Sequence, residues 1–175
     1  MPAHELTRPP RAPTQPHLQP TWALHAPQLG AGHRHCSFSA GHNIGSNLIQ
    51  PICSALKANQ KLKHVNLSYN RLGDDEVIEL CKVLETHQGI DTLNMQYNMV
   101  SDEGAVALAD VLKTNKSLRH IDLFFNHIGD RGAIALAESM HDQPKLYKVN
   151  LRCNMLGYQG NRAIRMIEDQ LAVRT

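Results

Sequence analysis

The chain has 175 residues, 42% of them hydrophobic and 19% charged, so most of it can bury a core and it is not disordered throughout. Eighteen Lys and Arg against 16 Asp and Glu leave a formal charge of +2, too even to argue for nucleic acid or an anionic membrane as a partner. No apolar run approaches the ~18 residues of a membrane helix, and the opening residues hold no signal-like apolar stretch. Cys36, Cys53, Cys81 and Cys153 contain no C-x-x-C spacing, which fits neither a disulfide scaffold nor a zinc framework and points to a reducing, intracellular setting.

Charge and proline are distributed unevenly. Residues 1–45 carry Arg8, Arg11 and Arg34 against the single acid Glu5, which leaves 15 basic and 15 acidic groups in the remaining 130 residues. Seven of the nine prolines lie at or before Pro27, and six of the eleven His at or before His42. A segment with that much proline, little charge and no apolar period has nothing to bury. Residues 1–41 are therefore expected to form a disordered Pro/His-rich tail, and residues 42–175 the folded domain.

The body repeats itself every 28 residues, from Leu62, Ile90, Leu118 and Leu146. The four units read LKHVNLSYNRLGDDE, IDTLNMQYNMVSDEG, LRHIDLFFNHIGDRG and LYKVNLRCNMLGYQG. A fixed period in this range marks a solenoid. In the first unit Val65 and Leu67 alternate with His64, Asn66 and Ser68, the period of a half-buried strand. A helix follows, with apolar residues at Val77, Leu80, Cys81 and Leu84 on one face. Ala105, Leu108, Ala109 and Leu112 repeat that face, as do Ala133, Leu136, Ala137 and Met140. Asp74, Asp102 and Asp130 fall where a carboxylate caps the free N–H groups of a first turn. Strand, loop and helix repeated in one direction give parallel strands on one side and helices on the other. No unit can bury its apolar face alone. The invariant column Asn70, Asn98, Asn126 and Asn154 sits where the chain leaves the strand and strips backbone groups of partners, so it is read as a structural ladder and not as catalytic machinery.

This pattern, L-x-x-L-x-L-x-x-N-x-L-G-D-x-G followed by a helix, resembles the leucine-rich repeat in its ribonuclease-inhibitor-like subtype, over about residues 42–175. The resemblance implies an α/β horseshoe arc of about four and a half repeats, with an inner parallel sheet and outer helices. Proteins of this kind, among them NOD-like receptors, the Ran GTPase-activating protein and ciliary scaffolds, mostly bind other proteins. No family active-site motif is matched, so the chain is expected not to be an enzyme and to need no cofactor.

The two ends differ. His42, Ile44, Gly45, Cys53 and Leu56 fall on the later columns, but Ser37 and Ser39 stand where Val65 and Leu67 should be, and Pro51 suits the opening of a shortened helix. The N-terminal strand is thus expected to fail, leaving an edge open to association. Asn161, Arg162, Arg165 and Glu168 make the last helix polar, as a terminal cap requires, so the C-terminal end is read as natural and the N-terminal one as truncated, spliced or partner-covered.

The inner face exposes polar residues that become basic towards Lys148 and Arg152, with Asp122 and Phe124 near its middle. Tyr69, Tyr97 and Phe125 form a column at the strand exits, and aromatics of this kind anchor protein partners or pack on one another. Phe124 beside Phe125 tilts the balance to binding, because a period-two strand cannot send both inward. The partner-binding candidates are Tyr69, Tyr97, Asp122, Phe124, Phe125, Lys148 and Arg152. His33, His35, Cys36 and His42 match no zinc-finger spacing, so no metal site is expected. Cys53 and Cys81 read as small core residues. The function expected is binding of an unidentified protein through the concave sheet, in the cytoplasm, with nucleus or cilium as other settings. The alternatives are a GTPase-activating or inhibitory regulator of an enzyme, and a structural part of a larger assembly such as a cilium.

Overall fold

Each repeat folds into one short strand and one helix. The computed structural model describes residues 34–37, 45–140 and 143–172. In chain order these form β1 (His35–Ser37), α1 (Gly45–Ala58), β2 (His64–Asn66), α2 (Asp74–Leu84), β3 (Thr92–Asn94), α3 (Asp102–Thr114), β4 (His120–Asp122), α4 (Asp130–Ser139), β5 (Lys148–Asn150) and α5 (Tyr158–Ala172). The five strands make a single sheet in sequential order, every pair parallel. Val65, Leu93, Ile121 and Val149 lie directly opposite one another, so residues one repeat apart are stacked in register. Strands pair at ~4.8 Å while packed helices need 8–10 Å, so the sheet lines the short, inner side of the arc.

The core runs continuously through the stack. Leu67, Met95, Leu123 and Leu151 are buried from the strand side, and Val77, Leu80, Leu84, Ala105, Leu108, Leu112, Ala133, Leu136 and Met140 from the helix side. Small residues on one helix column, Cys81, Ala109 and Ala137, let neighbouring helices approach, and Arg165 at the corresponding place on α5 is exposed. Among the described residues no helix is long and apolar enough to cross a membrane.

Three local expectations are corrected. A strand does form at the N-terminal end, with Cys36 and not Ser37 opposite Val65, a register of 29 residues instead of 28. The longer first repeat hid it. This strand lies inside the stretch read as tail; residues 1–33 and 38–41 of that stretch fall outside the described residues. Second, α1 is a 14-residue helix with Pro51 inside it, not a shortened helix opened by proline. Burial of Ile49, Ile52, Cys53 and Leu56 against the stack offsets the roughly 3 kcal/mol an interior proline costs.

Third, the aspartates do not cap their own helices. Asp74 Oδ1 accepts from the N–H groups of Ser101 and Gly104 at 2.8 and 2.9 Å, in the next repeat. Asp102 does the same for Gly129 and Gly132, both at 2.8 Å, and Asp130 for Gly157 and Gly160 at 2.7 and 2.8 Å. Each helix start is therefore tied to the repeat before it. In α2, Glu76 caps its own helix instead, its Oε2 accepting from the N–H of Gly73 at 2.8 Å. The column ends on Tyr158, which carries no carboxylate.

A second buried polar column lies at the helix-to-strand turns. Asn59, His87, Asn115 and Gln143 recur every 28 residues, all buried. His87 Nδ1 accepts from the Gly89 N–H, and its Nε2 lies 3.0 Å from the Asn59 carbonyl. Asn115 Nδ2 donates to the Leu84 and His87 carbonyls, and Gln143 Nε2 to that of Asn115. These side chains supply the partners that the turn backbone cannot find for itself.

Candidate protein-binding face

The face is built where the strands end. Asn66, Asn94, Asp122 and Asn150 each accept, through Oδ1, from the N–H two residues on, at 3.0 to 3.2 Å. This local turn ends the strand and places Ser68, Gln96, Phe124 and Arg152 on the inner side. The next residue in each of these four repeats takes a left-handed backbone: φ is 60° at Tyr69, 55° at Tyr97, 54° at Phe125 and 60° at Cys153. Such a conformation costs a side chain larger than glycine about 1–2 kcal/mol. It persists because the turn is held from both sides. The N–H groups of Tyr69, Tyr97 and Phe125 donate to the carbonyls of Gln96, Phe124 and Arg152 in the neighbouring repeat.

The asparagine that follows completes the hold. Asn98 Oδ1 accepts from the N–H groups of Asn70 and Leu72 at 3.1 and 2.9 Å, while its Nδ2 donates to the Leu67 and Met95 carbonyls at 3.0 and 2.9 Å. Asn126 and Asn154 repeat the arrangement on Val100 and Ile128, and Asn70 Nδ2 donates to the Ser68 carbonyl. The chain reversal is thereby fixed at each rung, and so is the direction of the ring before it.

Those rings form a strip. Tyr69 and Tyr97 stack at 4.3 Å and 12°, Tyr97 and Phe125 at 4.9 Å and 27°, and Phe124 meets Tyr97 edge-on at 5.4 Å and 66°. Tyr69 remains 45% exposed and Phe125 54%, so packing and accessibility coexist in the same side chains. Leu123 points into the core, and Phe124 and Phe125 both stand outside it. Partial desolvation, and then the phenol of Tyr97, raise the Tyr69 hydroxyl above its ordinary value. Cys153 ends the column, since the fourth repeat carries no ring there.

The remaining candidates surround the strip unequally. Lys148 and Arg152 are exposed on the last repeat. Asp122 is half-buried, and its Oδ1 is engaged by the Phe124 N–H and by Asn150 Nδ2, both at 3.0 Å. His120 also faces inward, with Nε2 buried and without a hydrogen-bond partner among the described residues. Burial, and then Lys148, lower its pKa, against the opposing pull of Asp122. Met99 and Met155, one residue past the asparagines, are 50% and 67% exposed. Sequence reasoning missed both, although apolar side chains at a column otherwise held by Arg71 and His127 were the available signal.

The two buried cysteines are not set up as nucleophiles. Burial raises Cys53 and pushes Cys81 up to about 12, so both thiols stay protonated inside the core. Among the described residues no group of three His, Cys, Asp or Glu is placed to hold a metal ion. His35 instead stacks on His64 at 4.3 Å; His33 and His42 lie outside the described residues.

A family model described as the TMOD/LMOD leucine-rich domain matches residues 40–167. The chain belongs to the TMOD/LMOD leucine-rich domain family. The leucine-rich repeats read from the 28-residue period are thus those of a family that the sequence reading did not name. Among solved structures, this TMOD/LMOD domain is similar to one titled "Leiomodin-1 Actin-Binding Site 2 (ABS2)". That match has a TM-score of 0.71 and 17% identity, over 83% of this chain and 82% of that one. A tropomodulin C-terminal domain from Caenorhabditis elegans matches at TM-score 0.50 and 12% identity, over 72% of this chain and 92% of that one. At such identities the likeness is one of fold. No curated protein matches the chain.

Proposed function

We propose that this TMOD/LMOD-family domain binds actin, inside the cell and without catalysis, through its concave sheet and the aromatic strip at the strand exits. The observation that carries the reading is the strip itself. Three rings in consecutive repeats are stacked, half-exposed and held by backbone turns, on a scaffold that needs no rearrangement to present them. Preorganised aromatics of this kind contribute most where a protein surface closes over them, because little side-chain entropy remains to be lost. Tyr69, Tyr97, Phe124 and Phe125 are the anchors; Lys148 and Arg152 add positive charge at one end, and Asp122 positions Phe124 through its N–H. Actin is chosen because the leiomodin structure of the same fold is titled as an actin-binding site and the family is shared.

Cosedimentation with filamentous actin, together with a monomeric-actin titration, tests the partner. Saturable binding to either form supports the reading. A chain that stays free of both across a concentration series overturns actin as the partner, and a changed GTPase turnover in its place would favour the regulator reading.

A further inference from the structure

The strand entries form a second surface, at the opposite end of the sheet from the rings. A cleft of about 250 Å³ opens there across consecutive repeats, and its lining sets Lys63, Lys116, Arg119 and Lys145 against one acid, Asp91. Acidic and basic side chains balance over residues 46–175 as a whole, so this excess is a local arrangement. Lys116 serves the end of α3, its ammonium donating to the Lys113 carbonyl at 2.8 Å. The other three cations lie past the helix ends, and among the described residues no ion pair reaches Lys63, Arg119 or Lys145. Asp91 is engaged sideways instead: its Oδ1 accepts from the Thr92 hydroxyl at 3.0 Å and lies 3.4 Å from His64 Nδ1. Lys63 and Arg119 flank it in the column that enters β2, β3 and β4, which puts their backbones about 10 Å apart.

The backbone decides which anion fits. A compact phosphate is held by N–H groups that converge on it. Around this cleft those groups are spent: the Gly89 N–H donates to His87 Nδ1, that of Asp91 to the Lys63 carbonyl, that of Ser117 to Asn115 Oδ1 and that of Arg119 to the Asp91 carbonyl. Charged side chains on long stems remain, spread over neighbouring repeats and not focused on one point. Alternate side chains of an extended chain stand about 6.4–6.8 Å apart on one face. Carboxylates at that spacing fall within reach of Lys63 on one side and of Arg119 and Lys145 on the other. We infer that the cleft at Lys63, Arg119 and Lys145 binds an acidic, extended segment of a protein partner. Exposed ion pairs contribute little each and are screened by salt, so the contact steers and orients a partner more than it holds one. These cations precede the strands that the rings follow. The inference therefore does not rest on the aromatic strip or on actin, and each reading can fail without the other.

A fluorescent peptide of alternating glutamate and serine, titrated against the full chain by anisotropy at low and at physiological salt, tests it. The triple variant Lys63→Gln, Arg119→Gln, Lys145→Gln is compared with Lys82→Gln, Arg131→Gln, Arg162→Gln, which removes the same charge from exposed positions on the outer helices. The expected result is roughly tenfold weaker binding in the first triple, as the loss of three exposed ion pairs allows, and affinity within about twofold of wild type in the second. Added salt should weaken wild-type binding and affect the first triple much less. Thermal melts check that both triples fold; if the first does not, Arg119→Gln and Lys145→Gln, both at exposed positions, carry the comparison singly. Equal losses in the two triples, or a wild-type chain that does not bind the peptide, overturn the proposal. Tripolyphosphate that displaces the peptide more strongly than an unlabelled glutamate peptide of equal charge assigns the cleft to a compact phosphate. Recruitment to phosphatidylserine vesicles that the first triple abolishes assigns it to a membrane. Either of these results also overturns the acidic-segment reading.

Discussion

The Oδ1 atom of Asp102 lies 2.8 Å from the backbone nitrogen of Gly132, 30 residues on and one repeat ahead. The contact explains why glycine recurs at 104, 132 and 160 in the first turn of successive helices. A Cβ at Gly132 would lie 2.7 Å from the Ala105 Cβ and 2.8 Å from Asp102 Oδ1. Alanine is normally better than glycine in a helix by about 1 kcal/mol. Here Gly132→Ala should instead lose about 1–3 kcal/mol in urea denaturation, as overpacking does. Gly73→Ala meets only the movable end of Glu76, at 3.3 Å, and should lose far less. A stabilised Gly132→Ala would contradict the inter-repeat cap.

Asn98→Ala should be severe. It removes the partner of the Leu72 N–H and of the Leu67 carbonyl in the core, and one of the two amide donors to the Met95 carbonyl, which Asn126 still reaches. Each unsatisfied group costs about 1–3 kcal/mol, so the loss of two should be about 2–5 kcal/mol. Asn98→Asp keeps the acceptor but removes the donor facing two carbonyls, and should be nearly as damaging. Chemical denaturation of both variants checks this, and a loss below about 1 kcal/mol in either would contradict the network.

These contacts show which parts of the molecule were legible in the chain. Val65, Leu93, Ile121 and Val149 repeat as apolar letters at one spacing, so the strand register could be read directly. β1 was hidden because the first repeat is one residue longer, so that a 28-residue spacing sets Ser37 and Ser39 against Val65 and Leu67. The aspartate caps were assigned to the wrong helix, since a side chain near a first turn reads as local and only stacking shows that it reaches forward. The column of Asn59, His87, Asn115 and Gln143 escaped notice because the letter changes at nearly every turn although the burial does not. The left-handed backbone at Tyr69, Tyr97 and Phe125 had no signal, as it is usually announced by glycine or asparagine. Without it the rings could be placed at the strand exits but not oriented.

His120 gives a pH dependence. Burial first, and Lys148 second, lower its pKa from the ordinary 6.5. The folded state then binds fewer protons than the unfolded one as pH falls through about 6.5. Stability is accordingly lost as pH drops below that value, and the loss levels off beneath the folded-state pKa. His120→Gln should flatten this part of the profile, measured as urea midpoints from pH 7.5 to 5. An unchanged slope in the variant would contradict a half-buried imidazole held neutral.

The thiols should separate by burial. Cys153 is exposed, whereas Cys53 and Cys81 are buried and Cys81 is pushed up to about 12. In a Cys36→Ser background one thiol should react rapidly with a disulfide reagent under native conditions, and the other two only on unfolding. Fast reaction of Cys53 or Cys81 in the folded protein would contradict the packing of α1 against α2.

The central claim is that the exposed rings bind and do not merely pack. Titration of actin with wild type and with the double variant Tyr97→Ala, Phe124→Ala, alongside thermal melts of both, tests it most directly. Loss of roughly 100-fold or more in affinity, with a melting temperature within a few degrees of wild type, is the result expected of hot-spot rings. Unchanged affinity, or weaker binding accompanied by unfolding, would contradict the claim.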